Sequence, residues 1–304
     1  MQKLLSFGLC CAFSALFLPA TASAQGGKET LGVSAIRPTP ALQKAMTAAG
    51  KSSSLNRVVE AFDGQFIDRI NATRKFDVVG RSDLKDVLKE QELAGSGNVD
   101  TLDKKTAQAG KLAGAKYILV TTLDDFEDST DRLELTNLKK TMLKRKIRLS
   151  TLAKIYDSTT GKLLESANIQ ALKKDDHTDA VEVSKNAELT DELLLAVVRE
   201  VAEKVANRVT DVIFPAKVLI KRDKQITINR GEGAGVEVGQ TWNVFAVGDE
   251  LFDPDTKESL GKEEALIGKA RIVSVQPKTS TAEILDDKGI DKGAILRLPP
   301  QPKP

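Results

Sequence analysis

"INRGEGAGVEVGQTWNVFAVG", residues 228–248, holds five glycines, two of which, Gly231 and Gly233, flank Glu232. A glycine-rich stretch of this kind either cradles phosphate in a nucleotide fold or turns the chain between β-strands. A dinucleotide fingerprint needs Gly or Ala at the sixth position, counting its first glycine as one, at the start of a helix. Counted from Gly231 that position is Val236, and from Gly233 it is Val238. A P-loop needs Lys followed by Ser or Thr, and Gln240-Thr241 stands there instead. "KQITINR" precedes the stretch and "TWNVFAVG" follows it, so strand leads to strand. No helix N-terminus is offered to an anion. The glycines therefore supply turn positions of positive φ within a β-rich unit.

Outward from this stretch the period-two pattern continues on both sides. "KVLIKR", "ALIGKARIVSVQ", "TSTAEIL" and "GAILRL" join the two flanking segments as short strands after Pro215. They predict a small all-β domain, a barrel or sandwich, over residues 215–298, with 299–304 as a disordered tail.

Upstream, residues 25–214 alternate strand and helix patterns. "LGVSAI" (31–36) reads as a strand, followed by a loop with a helical turn. Ser53 or Ser54 is placed to cap a helix on which Leu55, Val58, Val59, Phe62, Phe66 and Ile70 share one face. Gly64 is an exposed weak point in it. "KFDVVG" (75–80) is a strand. A helix capped by Ser82 and another over about 101–112, ended at Gly114, come next. "AKYILVTTLDDF" (115–126) is a long strand. "IRLSTLAKIYD" alternates Ile147, Leu149, Thr151, Ala153 and Ile155 toward a core. "DSTTG" turns it into "KLLESANIQAL". A valine-striped helix runs from about Asp191 to Ile213, closed by Pro215. The expected fold is an α/β (α+β) N-terminal domain with helices packed on a mixed sheet, plus the all-β domain.

Little in the chain points to chemistry. The net charge of +2 is too small for electrostatic capture of nucleic acid. His177 is the one histidine, in a charged loop beside Asp175, Asp176 and Asp179, where nothing fixes metal geometry. "DDFEDSTD" (124–131) lacks the glycine and terminal glutamate spacing of a calcium loop and reads as a charged loop at a strand end. "LKKTMLKRK" (138–146) reads as a surface strand face, because no aromatic residues interleave for base stacking. No cofactor, metal or catalytic residue is expected, and the chain is read as a non-enzyme.

The N-terminus reads as a secretory signal over residues 1–24. Lys3 is the basic n-region, "LLSFGLCCAFSALFLPA" the apolar h-region, and Ala22-x-Ala24 the cleavage pattern. An uncleaved anchor is the alternative, against which Pro19 and the small residues argue. Cys10 and Cys11, the two cysteines, lie inside this segment, too early for a lipidated cysteine. No later stretch reaches the ~20 apolar residues of a membrane helix, so no transmembrane segment is expected in the mature chain.

"FDVVGRSDLKDVLKEQELAGSGNVD" with "AGKLAGAKYILVTTL" resembles the CsgG family. Its pattern is a strand ending in Arg81-Ser82, a helix ending in Glu90-Gln91, then Gly110-Lys111 and Gly114-Ala115 before a strand. The strand–turn–strand with Asp157, Thr160 and Gly161 fits as well. The resemblance implies a non-catalytic envelope protein, periplasmic or at the outer membrane, often oligomeric, which binds other envelope or secreted proteins. Its best-known member is a curli secretion channel. This chain departs from that member in lacking the lipidated cysteine, and its linkers at 127–146 and 173–190 are too short and too charged for lipid-facing strands of ~10 residues each. Arg81, Ser82, Glu90, Gln91, Gly110, Gly114, Ala115, Asp157 and Gly161 would then be structural or contact residues, with an Arg81–Glu90 ion pair a further expectation. The β-domain resembles the small C-terminal domain of the flagellar assembly protein FlgT. The resulting expectation is an exported accessory protein for secretion or assembly of a surface structure. Two other readings stand beside it: an activator of a cell-wall synthase, and a carboxylate hydrolase, for which no convergent acidic cluster is seen.

Overall fold

The structure is a computed structural model that describes residues 28–80, 114–135, 140–174, 192–257 and 259–299. The first half builds a mixed sheet. β1 (Glu29–Val33) lies between β3 (Phe76–Gly80) and β4 (Tyr117–Leu135), parallel to both. β2 (Arg37–Pro38) also runs parallel to β4. β5 (Lys140–Asp157) and β6 (Leu163–Lys174) extend the sheet antiparallel, giving the order β3-β1-β4-β5-β6.

Three helices among the described residues pack on this sheet. α1 (Pro40–Ala48) is a full helix where the sequence suggests only a turn. Thr39 caps it, its hydroxyl accepting from Leu42 N, and Pro40 occupies the first turn, where its missing N–H costs nothing. α2 (Ser52–Ala72) starts one residue before the expected cap, behind Lys51, and no side chain caps it. Ser53 and Ser54 lie inside the helix instead. α3 (Glu192–Ile213) buries Leu194, Val197, Val198, Val201, Val205 and Val209 along one stripe. These meet Leu55, Val58, Phe62 and Phe66 of α2 and Leu119, Leu123, Ile147, Leu149 and Ile155 of the sheet in one core. Phe62 and Phe66 stack at 5.2 Å. Valine is a poor helix former in isolation, so it is this burial that holds α3.

In the expected linker at 127–146, residues 127–135 and 140–146 are strand. β4 and β5 stay paired to Leu135↔Lys140, so "DDFEDSTD" is strand, not a loop at a strand's end. The hairpin is sorted by charge. Arg145 grips Asp128 with two bonds, Nη2–Oδ2 at 2.5 Å and Nε–Oδ1 at 2.8 Å. Arg148 reaches Asp125 at 2.9 Å and Glu127 at 3.3 Å. Cross-strand pairing of opposite charges replaces the inward-facing apolar rhythm that identifies a strand nearer the core. The second expected linker, 173–190, begins in β6 at Lys173 and Lys174 and then lies outside the described residues.

After Pro215 the chain closes a six-stranded barrel. β7 (Ala216–Arg222), β8 (Gln225–Ile228), β9 (Thr241–Phe252), β10 (Ser259–Val275), β11 (Ser280–Asp287) and β12 (Ile295–Arg297) run in the order β10-β11-β8-β7-β12-β9, and β9 pairs with β10 to close it. Val218, Ile226, Ile228, Trp242, Val244, Ala270, Ile272 and Leu296 fill the interior. β9 and β10 both outrun their predicted segments and project as a hairpin that pairs as far as Phe252↔Ser259.

Candidate functional site

Those residues of the family resemblance that lie within the described chain gather at one end of the sheet. Ala115 is buried at the entry to β4, and Gly114 before it is exposed. Asp157 ends β5 opposite Tyr117. Its Oδ1 accepts from Thr159 N at 2.8 Å and Thr160 N at 3.0 Å. Gly161 closes the turn at φ +70°, its N–H donating to Asp157 O. Ser158 ties this turn to the motif's other half, its hydroxyl donating to the carbonyls of Ala115 and Lys116. The N–H groups of Thr160 and Thr159 hold the Asp157 carboxyl below its ordinary range. Lys116 bonds Glu29 at 2.8 Å, which raises the lysine's pKa, and lies 5.4 Å over the Tyr117 ring. The corner thus fastens β1, β4 and the β5–β6 turn together. Arg81, Ser82, Glu90, Gln91 and Gly110 lie outside the described residues, and so does the expected Arg81–Glu90 pair.

A second constellation lies at the glycine-rich stretch, outside the residues that carry the family resemblance. The glycine-rich loop does turn the chain, with Gly233, Gly235 and Gly239 at φ +73°, +75° and +92°. It also seats the barrel on the helices. A Cβ on Gly233 would come 2.7 Å from Ala72 O at the end of α2, and one on Gly235 would come 2.7 Å from the Asn207 side chain on α3. Arg230 opens this loop with a side chain that has no exposure. Its Nη2 donates to the Asp211 carboxylate and, at 3.0 Å, to Phe214 O. Its own carbonyl accepts from Ser280 Oγ at 2.8 Å. Lys75 Nζ donates to Asn229 O at 2.6 Å. Burial first, then the neighbouring guanidinium, lowers the Lys75 pKa. An arginine in a polar glycine-rich loop gives no sign in sequence of being buried. The periodicity of α3, which places Asp211 just before Pro215, is the one usable signal.

Among the described residues, no three His, Cys, Asp or Glu side chains stand close enough to share a metal ion. The acidic run 124–131 is committed in part to Arg145 and Arg148. His177 lies outside the described residues. No described helix is long and apolar enough to cross a membrane.

The described chain thus joins a mixed sheet layered with helices, fastened at the corner of Ala115 and Asp157, to a β-barrel. Residues 20–193, more than half of the chain, match the family described as curli production assembly/transport component CsgG, and the chain belongs to that family. The match ends before the barrel. No curated protein matches the chain. Among solved structures it is similar to the hypothetical protein CT253 of Chlamydia trachomatis, at 12% identity over 62% of this chain and 99% of that one, with a TM-score of 0.32. It is also similar to the PelC dodecamer of Paraburkholderia phytofirmans, at 10% identity over 59% and 86% of the two chains, TM-score 0.30. A minor lipoprotein of Acinetobacter baumannii gives 10% identity over 59% and 91%, TM-score 0.30.

Proposed function

We propose that this chain is an exported, non-catalytic envelope protein that assists the secretion or assembly of a surface structure by binding other proteins. The observation that carries this reading is family membership over residues 20–193; Ala115, Asp157 and Gly161, on which the resemblance rests, gather at one corner of the sheet. The motif residues act as structural or contact groups in this reading. The secretory pattern of residues 1–24 supports delivery to the periplasm, with the outer membrane as neighbour.

The β4–β5 hairpin is long enough to raise the question of a pore. Ten of the twenty residues from 127 to 146 are charged. A lipid-facing strand alternates an apolar outward face with the lumen face, and charge at mid-membrane costs several kcal/mol. The pairing of acidic β4 with basic β5 favours an aqueous setting for this hairpin.

The test is removal of the gene from its host, followed by complementation with the intact chain. The expected result is a surface or secreted protein that fails to reach the cell exterior and is restored on complementation. Unchanged exterior and secreted protein profiles would overturn the proposal.

A further inference from the structure

We infer that β6 is a self-complementary sheet edge through which two copies of this chain pair antiparallel, about a two-fold axis at Asn168. This does not depend on the secretion role. Among the described residues β6 pairs with β5 alone and is an edge of the sheet for twelve residues, with no proline within Leu163–Lys174 to blunt it. Its ladder with β5 is regular from Glu165 to Lys174, and the one register shift falls at the strand's start, beside Leu164. A long edge of this kind offers a ready template for another strand.

Lys204 of α3 shows which residues face outward. Its Nζ donates to Gln170 O at 3.0 Å, so the backbone groups of Gln170 point away from β5. By the two-residue period, those of Ser166, Asn168 and Leu172 do so as well. A groove of ≈ 460 Å³ opens beside this edge, lined by Ala167, Asn168, Ile169, Gln170, Lys204 and Arg208.

The sequence along the edge suits a second copy of itself. A two-fold axis at Asn168 sets residues equally distant from it face to face. Ser166 then meets Gln170 of the second copy, and Leu164 meets Leu172, each twice. Those leucines are 38% and 46% exposed in the single chain, and pairing would cover all four. On the opposite face, Glu165, bonded to Arg208 at 2.6 Å, comes diagonal to Lys173 of the second copy, bonded to its own Glu200 at 2.8 Å, so opposite charges lie next to each other across the seam while each keeps its own partner. Lys204 already holds Glu200 at 2.7 Å and keeps that partner when it releases Gln170 O to the incoming strand. The other sheet edge, β3, is five residues long and offers no such symmetry.

The experiment uses the whole chain with Cys10 and Cys11 changed to serine. Opposed residues of a hydrogen-bonded antiparallel pair lie about 5.5 Å apart at Cα, within disulfide range. Asn168→Cys is expected to give a covalent dimer under mild oxidant. Ser166→Cys alone is expected to give none, and Ser166→Cys with Gln170→Cys is expected to link. Failure of Asn168→Cys to link, or equal linking by Ser166→Cys alone, overturns the inference. Light scattering supplies an independent readout. Ser166→Pro removes an outward N–H without touching the β5 ladder and is expected to halve the measured mass while circular dichroism is unchanged. An unsubstituted chain that is monomeric at every concentration, or a folded Ser166→Pro variant of unchanged mass, overturns it.

Discussion

Arg230 crosses from the mouth of the glycine-rich loop to Asp211 on α3, so the barrel is anchored to the helical layer by a guanidinium with no solvent exposure. Its Nε and Nη1 have no partner among the described residues, while Nη2 serves both Asp211 and Phe214 O. Breaking a buried pair from one side leaves the partner uncompensated. Asp211 is 40% exposed and can rehydrate, so Arg230→Ala is expected to cost roughly 2–3 kcal/mol. Chemical denaturation followed at Trp242, inside the barrel, and by far-ultraviolet dichroism checks this. The two probes are expected to separate into two transitions in the variant.

Two glycines should respond to alanine with opposite signs. Gly64 lies exposed inside α2, and a methyl group there would meet open space, so Gly64→Ala should stabilise by about 1 kcal/mol. A Cβ on Gly231 would fall 2.4 Å from Gln276 O and 2.7 Å from Lys278 N, both backbone atoms. Gly231→Ala should therefore destabilise by roughly 2–3 kcal/mol. Paired denaturation curves decide both, and two shifts of the same sign would contradict the packing described.

The β5–β6 turn and the β9–β10 turn are built alike. Asp253 accepts from Asp255 N and Thr256 N, as Asp157 accepts from Thr159 N and Thr160 N. At the position of Gly161 the second turn carries Lys257, at φ +58°. A left-handed non-glycine residue costs about 1–2 kcal/mol, partly offset by the greater freedom of unfolded glycine. Lys257→Gly should thus stabilise by about 0.5–1 kcal/mol, and Gly161→Lys should do the reverse. Thermal midpoints of both variants check the pair.

Asp287 is held down to about 2 by Lys221 first, then by the N–H groups of Ile290 and Gly289. Its folded pKa lies below the ordinary 3.8. Its bonds therefore add stability above about pH 4, and that contribution fades as pH falls toward about 2. Carboxyl NMR titration should place this group lowest among the barrel carboxylates. Asp287→Asn should flatten the acid limb of the stability curve.

The strongest periodicities carry the fold. The stripes of α2 and α3 and the alternation from Ile147 to Ile155 all face the core as read, because burial on one face leaves a pattern in sequence. The outer parts of the β4–β5 hairpin carry no such record. There the inward face passes from Phe126 and Ile147 to the nearly buried Asp128–Arg145 pair, so charge stands where an apolar residue would mark a strand, and the run reads as a loop. The start of α2 departs from the serine rule: Lys51 stands at the cap without a side-chain bond, and the serines follow inside the helix. At the junction, the positive φ of Gly233 and Gly235 is legible in the glycines themselves, but the nearness of Ala72 and Asn207 is not, since it joins residues over a hundred positions apart or on a different helix.

The charge-sorted hairpin also bears on how the chain avoids error before it is folded. An acidic strand that meets its own copy from another molecule is repelled, and so is a basic one. Only acid against base, Asp125, Glu127 and Asp128 against Arg145 and Arg148, is attractive. The same five residues that pair β4 with β5 thus also set like strands of neighbouring chains against each other, β4 against β4 and β5 against β5.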